Sequence, residues 1–416
     1  MNLKLIIALV FVPFGLFAQQ TVSLQTCWNE TRKQLPLLQN NQSLAKLDSL
    51  EQRILKTNYL PQLNAKAQAT WQSDVTSVDI PVPNIAIDEP SQEQYKVYLE
   101  VNQLIWDGGR TKALSTKHEI ETELTKAETD EIFYGFKQRV ASLYFALMLS
   151  QQQIKLTDEL ISTLEKKLTE IEAGVVQGVV REAGKYVLQA EKMQAEQDLN
   201  NQQFQAESIA KMLNVLTGMT LSATTALEKP QPTIPAKVNR SQLKVYQLKA
   251  QTAEQGKKVL AKNRMPVVSA FGQAGYGKPG LNMLNNEADT WLMVGAGISW
   301  NIFDWNSSKQ KREKLTVQQQ MIDNSREQFL YQLNTEKQQY EVEVQQYQTA
   351  IEKDKEIIGL RKKITEDYSS QLKQGTVTSS AYIEELFKEQ TAKITQQIHE
   401  IKLVQSQVAL QILLER

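Results

Sequence analysis

Two hydrophobic rhythms alternate along this chain, and the alternation happens twice. After Pro61, Leu63, Ala65, Ala67, Ala69 and Trp71 fall on one side, with Asn64, Lys66, Gln68, Thr70 and Gln72 on the other. Further on, Tyr95, Val97, Leu99 and Val101 alternate with Lys96, Tyr98, Glu100 and Asn102. After Pro266 the pattern returns: Val268, Ala270, Gly272, Ala274 and Tyr276 alternate with Val267, Ser269, Phe271 and Gln273. Leu292, Val294, Ala296, Ile298, Trp300 and Ile302 then alternate with Met293, Gly295, Gly297, Ser299 and Asn301. Period two is the signature of a strand with one apolar face, so four strands are expected. The two prolines end the helical segments before them, because proline cannot continue a helix and biases its predecessor towards extended backbone.

The second rhythm is helical. Arg110 to Ala173 contains no proline and one glycine, Gly135, and Ser308 to Gln374 contains no proline and one glycine, Gly359. At 1.5 Å per residue each helix would be roughly 100 Å long. Ile132, Phe136, Leu143, Leu147, Ile154, Ile161, Leu164, Leu168 and Ile171 recur at coiled-coil steps, as do Phe329, Leu333, Tyr340, Tyr347, Ile351, Ile358 and Ile364. Each helix is expected to stop at a glycine-bearing turn, Gly174 to Arg181 or Lys373 to Ser380, and to reverse into a return helix over Lys185 to Leu216 or Ala381 to Leu414. Ser379 and Ser380 are candidates to cap the last of these.

The recurrence is an internal duplication. Asp107 and Asp304, Gly178 and Gly375, Lys112 and Lys309, and Lys117 and Lys314 all stand 197 residues apart. Pro61 and Pro266, Asn58 and Asn263, and Leu55 and Leu260 stand 205 apart, so the first copy carries eight extra residues, expected in its proline-rich stretch 75–93. Each half should build the same supersecondary unit.

At the start of the chain, Lys4 precedes an uncharged apolar run from Leu5 to Phe17, and Ala18 offers a cleavage point. Residues 1–18 read as an export signal. Cys27 lies well past that cut and reads as a partly buried free thiol rather than a lipid-attachment cysteine. The longest other uncharged run, Met212 to Leu227, is too short and too polar to span a bilayer as a helix. Any re-entry into a membrane must therefore use β-strands.

Composition narrows the function classes. Lys and Arg number 47 and Asp and Glu number 47, for a net charge of zero, which argues against a nucleic-acid binder. Two histidines and one cysteine leave little for a His/Cys metal site or a disulfide scaffold, and no cofactor is implied. His118 and His399 sit on charged helical stretches and read as surface residues. The carboxylates follow helix-surface spacing, so no enzyme is expected. The four strands suit a membrane barrel wall, and Tyr59, Trp71, Tyr95, Trp106, Trp291, Trp300 and Phe303 suit interfacial girdles. Four strands cannot close a barrel, which needs about eight or more. Copies must then share the wall, and three copies would supply twelve strands.

Taken in order, "YLPQL" and "RMPVV" at strand starts, "LIWDGG" and "NIFDWN" at strand ends, and "VVQGVV" and "LKQGTVTSS" at helical turns resemble the TolC-type outer-membrane efflux proteins. The resemblance covers nearly all of the chain after the signal. It implies an α+β membrane protein: a homotrimer with a twelve-stranded outer-membrane barrel, continued by a periplasmic α-barrel of long antiparallel helices. The divisions would be residues 1–18, signal; 19–58, N-terminal periplasmic helices; 59–107, first β-hairpin; 108–218, first long α-hairpin; 219–238, equatorial linker; 239–263, a helix; 264–304, second β-hairpin; and 305–416, second long α-hairpin. A periplasmic adaptor and an inner-membrane transporter are the implied partners, with outer-membrane lipid around the barrel.

On that resemblance Gly178 and Gly375 take the places of the tip glycines, and Val179, Val180, Thr376 and Val377 beside them become candidate adaptor contacts. Acidic rings are implied six and nine residues after the second glycine, where this chain has Ala381 and Glu384. Glu384, or its neighbour Glu385, is the candidate for a ring at the tunnel constriction. The function implied is the exit duct of a tripartite efflux system for small molecules. Two alternatives stand beside it: a type I protein-secretion duct, and a non-channel periplasmic coiled-coil adaptor or spacer.

Overall fold

The computed structural model describes residues 21–76, 89–178, 180–283 and 285–415. Among these, the chain forms α1 (Leu24–Gln34), α2 (Pro36–Gln39), α3 (Asn41–Thr57), β1 (Gln62–Trp71), β2 (Glu93–Trp106), α4 (Arg110–Val176), α5 (Glu182–Thr217), α6 (Ser241–Lys262), β3 (Val267–Lys278), β4 (Asp289–Ser299), α7 (Ser307–Lys373) and α8 (Ser379–Leu414). The export-signal segment lies outside the described residues, as does most of the stretch expected to hold the first copy's extra residues. The duplication reaches the element boundaries: both ends of α4 and of α5 recur in α7 and α8 at the 197-residue offset, and β1 and β3 both start one residue after their proline.

The chain divides into two compact units, one of Met1–Gln39, Asp130–Arg240 and Leu330–Arg416, the other of Asn40–Thr129 and Ser241–Phe329. The first is a helical bundle. Leu24, Cys27 and Trp28 of α1 pack with Tyr144, Phe145 and Leu147 of α4, Leu213 of α5, and Val408 and Ile412 of α8. The Trp28 indole donates to the Lys137 carbonyl at 3.0 Å. The Tyr144 hydroxyl, inside the core, donates to Val22 O at 2.8 Å and Glu228 O at 2.5 Å, which ties the chain start to the linker after α5. Burial raises the Cys27 thiol to about 11, so it stays protonated and inert.

The second unit holds one antiparallel sheet, in the order β1-β2-β3-β4. Its register gathers the apolar positions of all four strands on one face. Ala65 faces Leu99, Leu99 faces Ala274, and Ala274 faces Leu292. One step along, Leu63, Val101, Gly272 and Val294 align in the same way. A bulge between Leu104 and Trp106 sets Trp106 opposite Val268, an apolar-face position. Trp291 breaks the girdle expectation: its partner is Gly275, so it lies on the polar face beside Tyr98. The fourth strand also ends at Ser299 rather than reaching Ile302. Among the described residues its only partner is β3, whose first paired residue is Val267, and Pro266 beyond it has no N–H to give.

Both strand-to-helix junctions use one device. Asp107 accepts from Gly109 N at 2.9 Å, Thr111 N at 2.6 Å and the Tyr59 hydroxyl at 2.7 Å, capping α4. Asp304 accepts from Ser308 N at 3.0 Å, capping α7. The two residues after each aspartate are left-handed: Gly108 and Gly109 in the first copy, Trp305 and Asn306 in the second. Gly108 has a second reason to lack a side chain, since a Cβ there would sit 2.2 Å from that of Met265.

Capping groups of this kind are worth about 1 kcal/mol. Asp304→Ala should therefore lower stability by about that amount. Asp107→Ala, which also strands the Tyr59 hydroxyl, should lower it by about 2 kcal/mol. Thermal melts of the detergent-solubilised protein followed by circular dichroism check the order of the two.

Candidate functional site: the helical tips and the two faces of the sheet

At the α4–α5 turn the helix continues through Gly174 and ends at Val176. The left-handed residue is Gly178, with φ of 75°, and its N–H donates to Val175 O at 3.0 Å. Gly174 was expected to open the turn, but its role is spacing: a Cβ there would come within 3.0 Å of Val180. At the α7–α8 turn Gly375 has φ of 71°, and Thr376 donates through both its N–H and its hydroxyl to Gln371 O. Thr378, not Ser379 or Ser380, caps α8, because it is the extended residue before the first helical turn. Its Oγ1 accepts from Ala381 N at 3.2 Å.

The two turns share one small core. Leu164, Ile171, Leu188, Leu372, Tyr382 and Ile383 are buried in it, with Val180 and Val377 packed against it. Gly184, at the start of α5, comes so close to the start of α8 that a Cβ would lie 2.5 Å from Ser379 Oγ. Of the predicted contact residues, Gly178, Gly375 and Thr376 are exposed, Val180 and Val377 are half-buried, and Val179 lies outside the described residues. Val176, 88% exposed, is the most open apolar residue of the first turn among the described residues and was not among the candidates. Its position just before the turn glycine was the available signal.

Buried Lys167 anchors this core. Its ammonium donates to Glu170 at 2.7 Å and Ser369 Oγ at 2.8 Å, and lies 5.1 Å from the Tyr382 ring centroid. Lys373 approaches the same Glu170 at 3.3 Å. Burial pushes the Tyr382 hydroxyl up to about 12.

Glu384 and Glu385 are adjacent in sequence and differ in setting. The Glu384 side chain is 67% exposed, with Lys388 at 2.6 Å. The Glu385 side chain is nearly covered and bridges Lys388 at 2.8 Å to Arg361 of α7 at 3.2 Å. The Lys388 ammonium bonded to it, with Arg361 beside it, holds the Glu385 carboxyl below the usual carboxylate range. Glu385 is thus a clasp between α7 and α8, and Glu384 is the acid left open. His399 is not the surface residue its sequence context suggested. Its Nδ1 lies 2.6 Å from Asp354, which is buried on α7, and its ring lies against Tyr347.

On the sheet, the apolar face is open along its length: Leu63, Leu292, Val294 and Ile298 are each about 70% exposed. The opposite face carries Asn64, Lys66, Gln68, Glu100, Asn102 and Gln273. There Lys66 is ion-paired with Glu100, which also accepts from Gln273 at 2.8 Å. No helix among the described residues is long and apolar enough to cross a membrane. A sheet with one greasy face and one wet face is the class of structure built to sit in a bilayer wall.

Residues 29–219 match the family model described as outer membrane efflux protein. Solved structures extend the likeness to the fold of nearly the whole chain. CusC, a protein described as forming a transmembrane channel, is 14% identical with a TM-score of 0.71, over 94% of this chain and 92% of its own. The outer membrane protein VceC of Vibrio cholerae is 16% identical with a TM-score of 0.64, over 94% of each chain. The MtrE outer membrane channel of Neisseria gonorrhoeae is 14% identical with a TM-score of 0.67, over 94% of this chain and 88% of its own. No curated protein matches the sequence. The fold, with its two-faced sheet, is the one seen in these outer-membrane channel structures. Residues 29–219 thus resemble the outer membrane efflux proteins, and the fold of nearly the whole chain is the one these solved structures share.

The clasp carries a pH signature. A carboxyl lowered in the folded state stabilises above its unfolded value, about 4.5, and loses that contribution as pH falls through the folded value. The tip should therefore loosen in acid below about pH 4.5, with proteolysis at the α7–α8 turn as the readout. Glu385→Gln should be looser already at pH 7 and change less with acid.

Proposed function

We propose that this chain is one third of an exit duct. Three copies complete a twelve-stranded barrel in the outer membrane and a periplasmic α-helical tunnel, which works with a periplasmic adaptor and an inner-membrane transporter to export small molecules. The observation that carries the proposal is the sheet itself. Its outer strands β1 and β4 each pair on one side only within the chain, yet its apolar face is continuous and open. In hydrocarbon an unpaired strand edge costs several kcal/mol per exposed backbone group, so β1 of one copy must meet β4 of the next. The helices support the same reading. Tyr186, Met193, Phe204 and Val215 of α5 and Met321, Tyr331, Val342 and Leu360 of α7 are left exposed by the single chain, and a neighbouring copy would cover them.

In this duct the apolar face meets lipid and the polar face lines a water path. The tips at Gly178 and Gly375 receive the adaptor, with Thr376, Val377, Val179 and Val180 around them. Opening requires α7 and α8 to slide or untwist against their neighbours. Glu384, the open acid, forms the ring of three carboxylates at the constriction, and Glu385 holds the hairpin in shape behind it. No step uses a cofactor or a reaction. Neutral overall charge is compatible with a passive duct whose cargo is chosen elsewhere.

The full chain in detergent should sediment as a trimer and, in planar bilayers, give a small cation-favouring conductance. Glu384→Ala should weaken that preference severalfold, while Gly375→Ala should perturb the tip because its backbone is left-handed. A monomer recovered without detergent would overturn the duct reading. A wild-type channel already wide open and indifferent to Glu384→Ala would overturn the tip gate.

A further inference from the structure

All four strands meet their helices at one end of the sheet. Residues 58–61 join α3 to β1, 107–109 join β2 to α4, 263–266 join α6 to β3, and 300–306 join β4 to α7. An apolar rim marks this end. Trp106, Trp300, Ile302, Phe303 and Trp305 are all exposed, Trp305 to 83%. Trp106 stands opposite Val268 on the apolar face, and Trp300 directly follows β4, its indole donating to Arg264 O at 2.9 Å. Phe303 and Trp305 meet edge to face with ring centroids 4.9 Å apart. Trp305 holds a left-handed backbone, φ 53°, where the first copy has Gly108, so its indole is displayed at some cost in strain.

Directly beyond the rim come cations. Arg110 and Lys112 open α4, and Lys309, Lys311, Arg312 and Lys314 open α7, all of them exposed. Among the described residues, the first ion pairs along these two helices belong to Lys117 and Arg326, past all six. Lys56 and Lys262, in the last turns of α3 and α6, add positive charge at the same end. Acids are scarce here. α4 has none before Glu119, and α7 has only Glu313 before Asp323. Asp107 and Asp304 are taken up as caps. The helices themselves do not call for this charge. A helix dipole favours acids in the first turn and cations in the last, and neither α4 nor α7 has an acid in its first turn. The six cations are therefore placed for a counter-charge outside the chain.

We propose that this end of the sheet is a docking surface for anionic phospholipid in the periplasmic leaflet of the outer membrane. The aromatic rim sits at the boundary of acyl chains and headgroups, where indole rings settle, and the cations opening α4 and α7 lie on the lipid phosphates. The apolar face of the sheet leads into this rim, and the charge of the collar is complementary to such a leaflet. The surface rests on the duct reading, which puts the helical end of the barrel on the periplasmic side. It fixes the depth of the duct. The rim cannot rise without dragging the cations away from the headgroups, and it cannot sink without exposing its rings to water.

The full chain is reconstituted into phosphatidylcholine bilayers that carry a trace of spin-labelled phosphatidylglycerol or spin-labelled phosphatidylcholine. The motionally restricted fraction of each label gives their relative affinity for the protein, and crosslinking in the same bilayers reports the oligomeric state. Wild type should favour phosphatidylglycerol about fivefold at low salt, and the preference should shrink as salt rises. Lys309→Gln, Lys311→Gln, Arg312→Gln and Lys314→Gln combined should lose most of the preference while the protein stays trimeric. Removing the same charge from the middle of α7, with Lys353→Gln, Lys355→Gln, Lys362→Gln and Lys363→Gln combined, should leave the wild-type ratio. A trimeric wild type with a ratio near one, or with a ratio that salt does not change, would overturn the lipid surface and leave the duct intact. Equal ratios for wild type and the junction variant, or equal losses in both variants, would do the same. A wild-type chain that stays monomeric in the bilayer would overturn the duct and the surface together.

Discussion

Backbone hydrogen bonds have no alternative partner inside a bilayer, and under the duct reading that constraint governs this molecule. Every N–H and C=O of a spanning strand must find another strand. Within the chain β2 and β3 are paired on both sides, and β1 and β4 on one. Under the duct reading the sheet is therefore a segment of a wall rather than a finished object. The same logic explains where the strands stop: β4 has no partner past the β3 residue that follows Pro266, and it frays into loop there.

Duplication imposes the same backbone twice and lets the side chains drift. The aspartate caps at the two strand-to-helix junctions show it directly. The backbone takes two left-handed steps at each junction, with glycines at one and Trp305 and Asn306 at the other. Glycine adopts that conformation without strain and tryptophan does not. The second copy keeps the turn because the aspartate cap and the helix it starts hold it in place.

The two helical turns are joined by packing and by charge. A small shared core, with Lys167 as its buried cation, fixes the two turns against one another. Next to it, two consecutive glutamates separate structure from chemistry. Helix geometry turns neighbouring residues about 100° apart, so one carboxylate faces α7 and is clasped by Arg361 while the other stays open to solvent. That separation leaves Glu384 free to vary without loss of the contact that joins α7 to α8.

Much of this was legible in the chain. Period-two alternation gave the strands and their apolar face, because a pleated strand sends successive side chains to opposite sides. The absence of proline gave the long helices, and the constant offset gave the duplication. Resemblance of the short motifs at the turns and junctions pointed to the family. What sequence spacing could not decide was anything set by partners far along the chain. Trp291 reads as a girdle residue until the β3–β4 register places it across from Gly275 and beside Tyr98. Gly174 reads as a turn glycine until Val180 folds back against it. His399 reads as exposed until α7 brings Asp354 to its ring, and Glu384 and Glu385 look equivalent until Arg361 arrives. Local periodicity reports the face on which a side chain lies. Only the folded chain decides what meets it there, because contact in a protein is set by packing between elements and not by distance along the sequence.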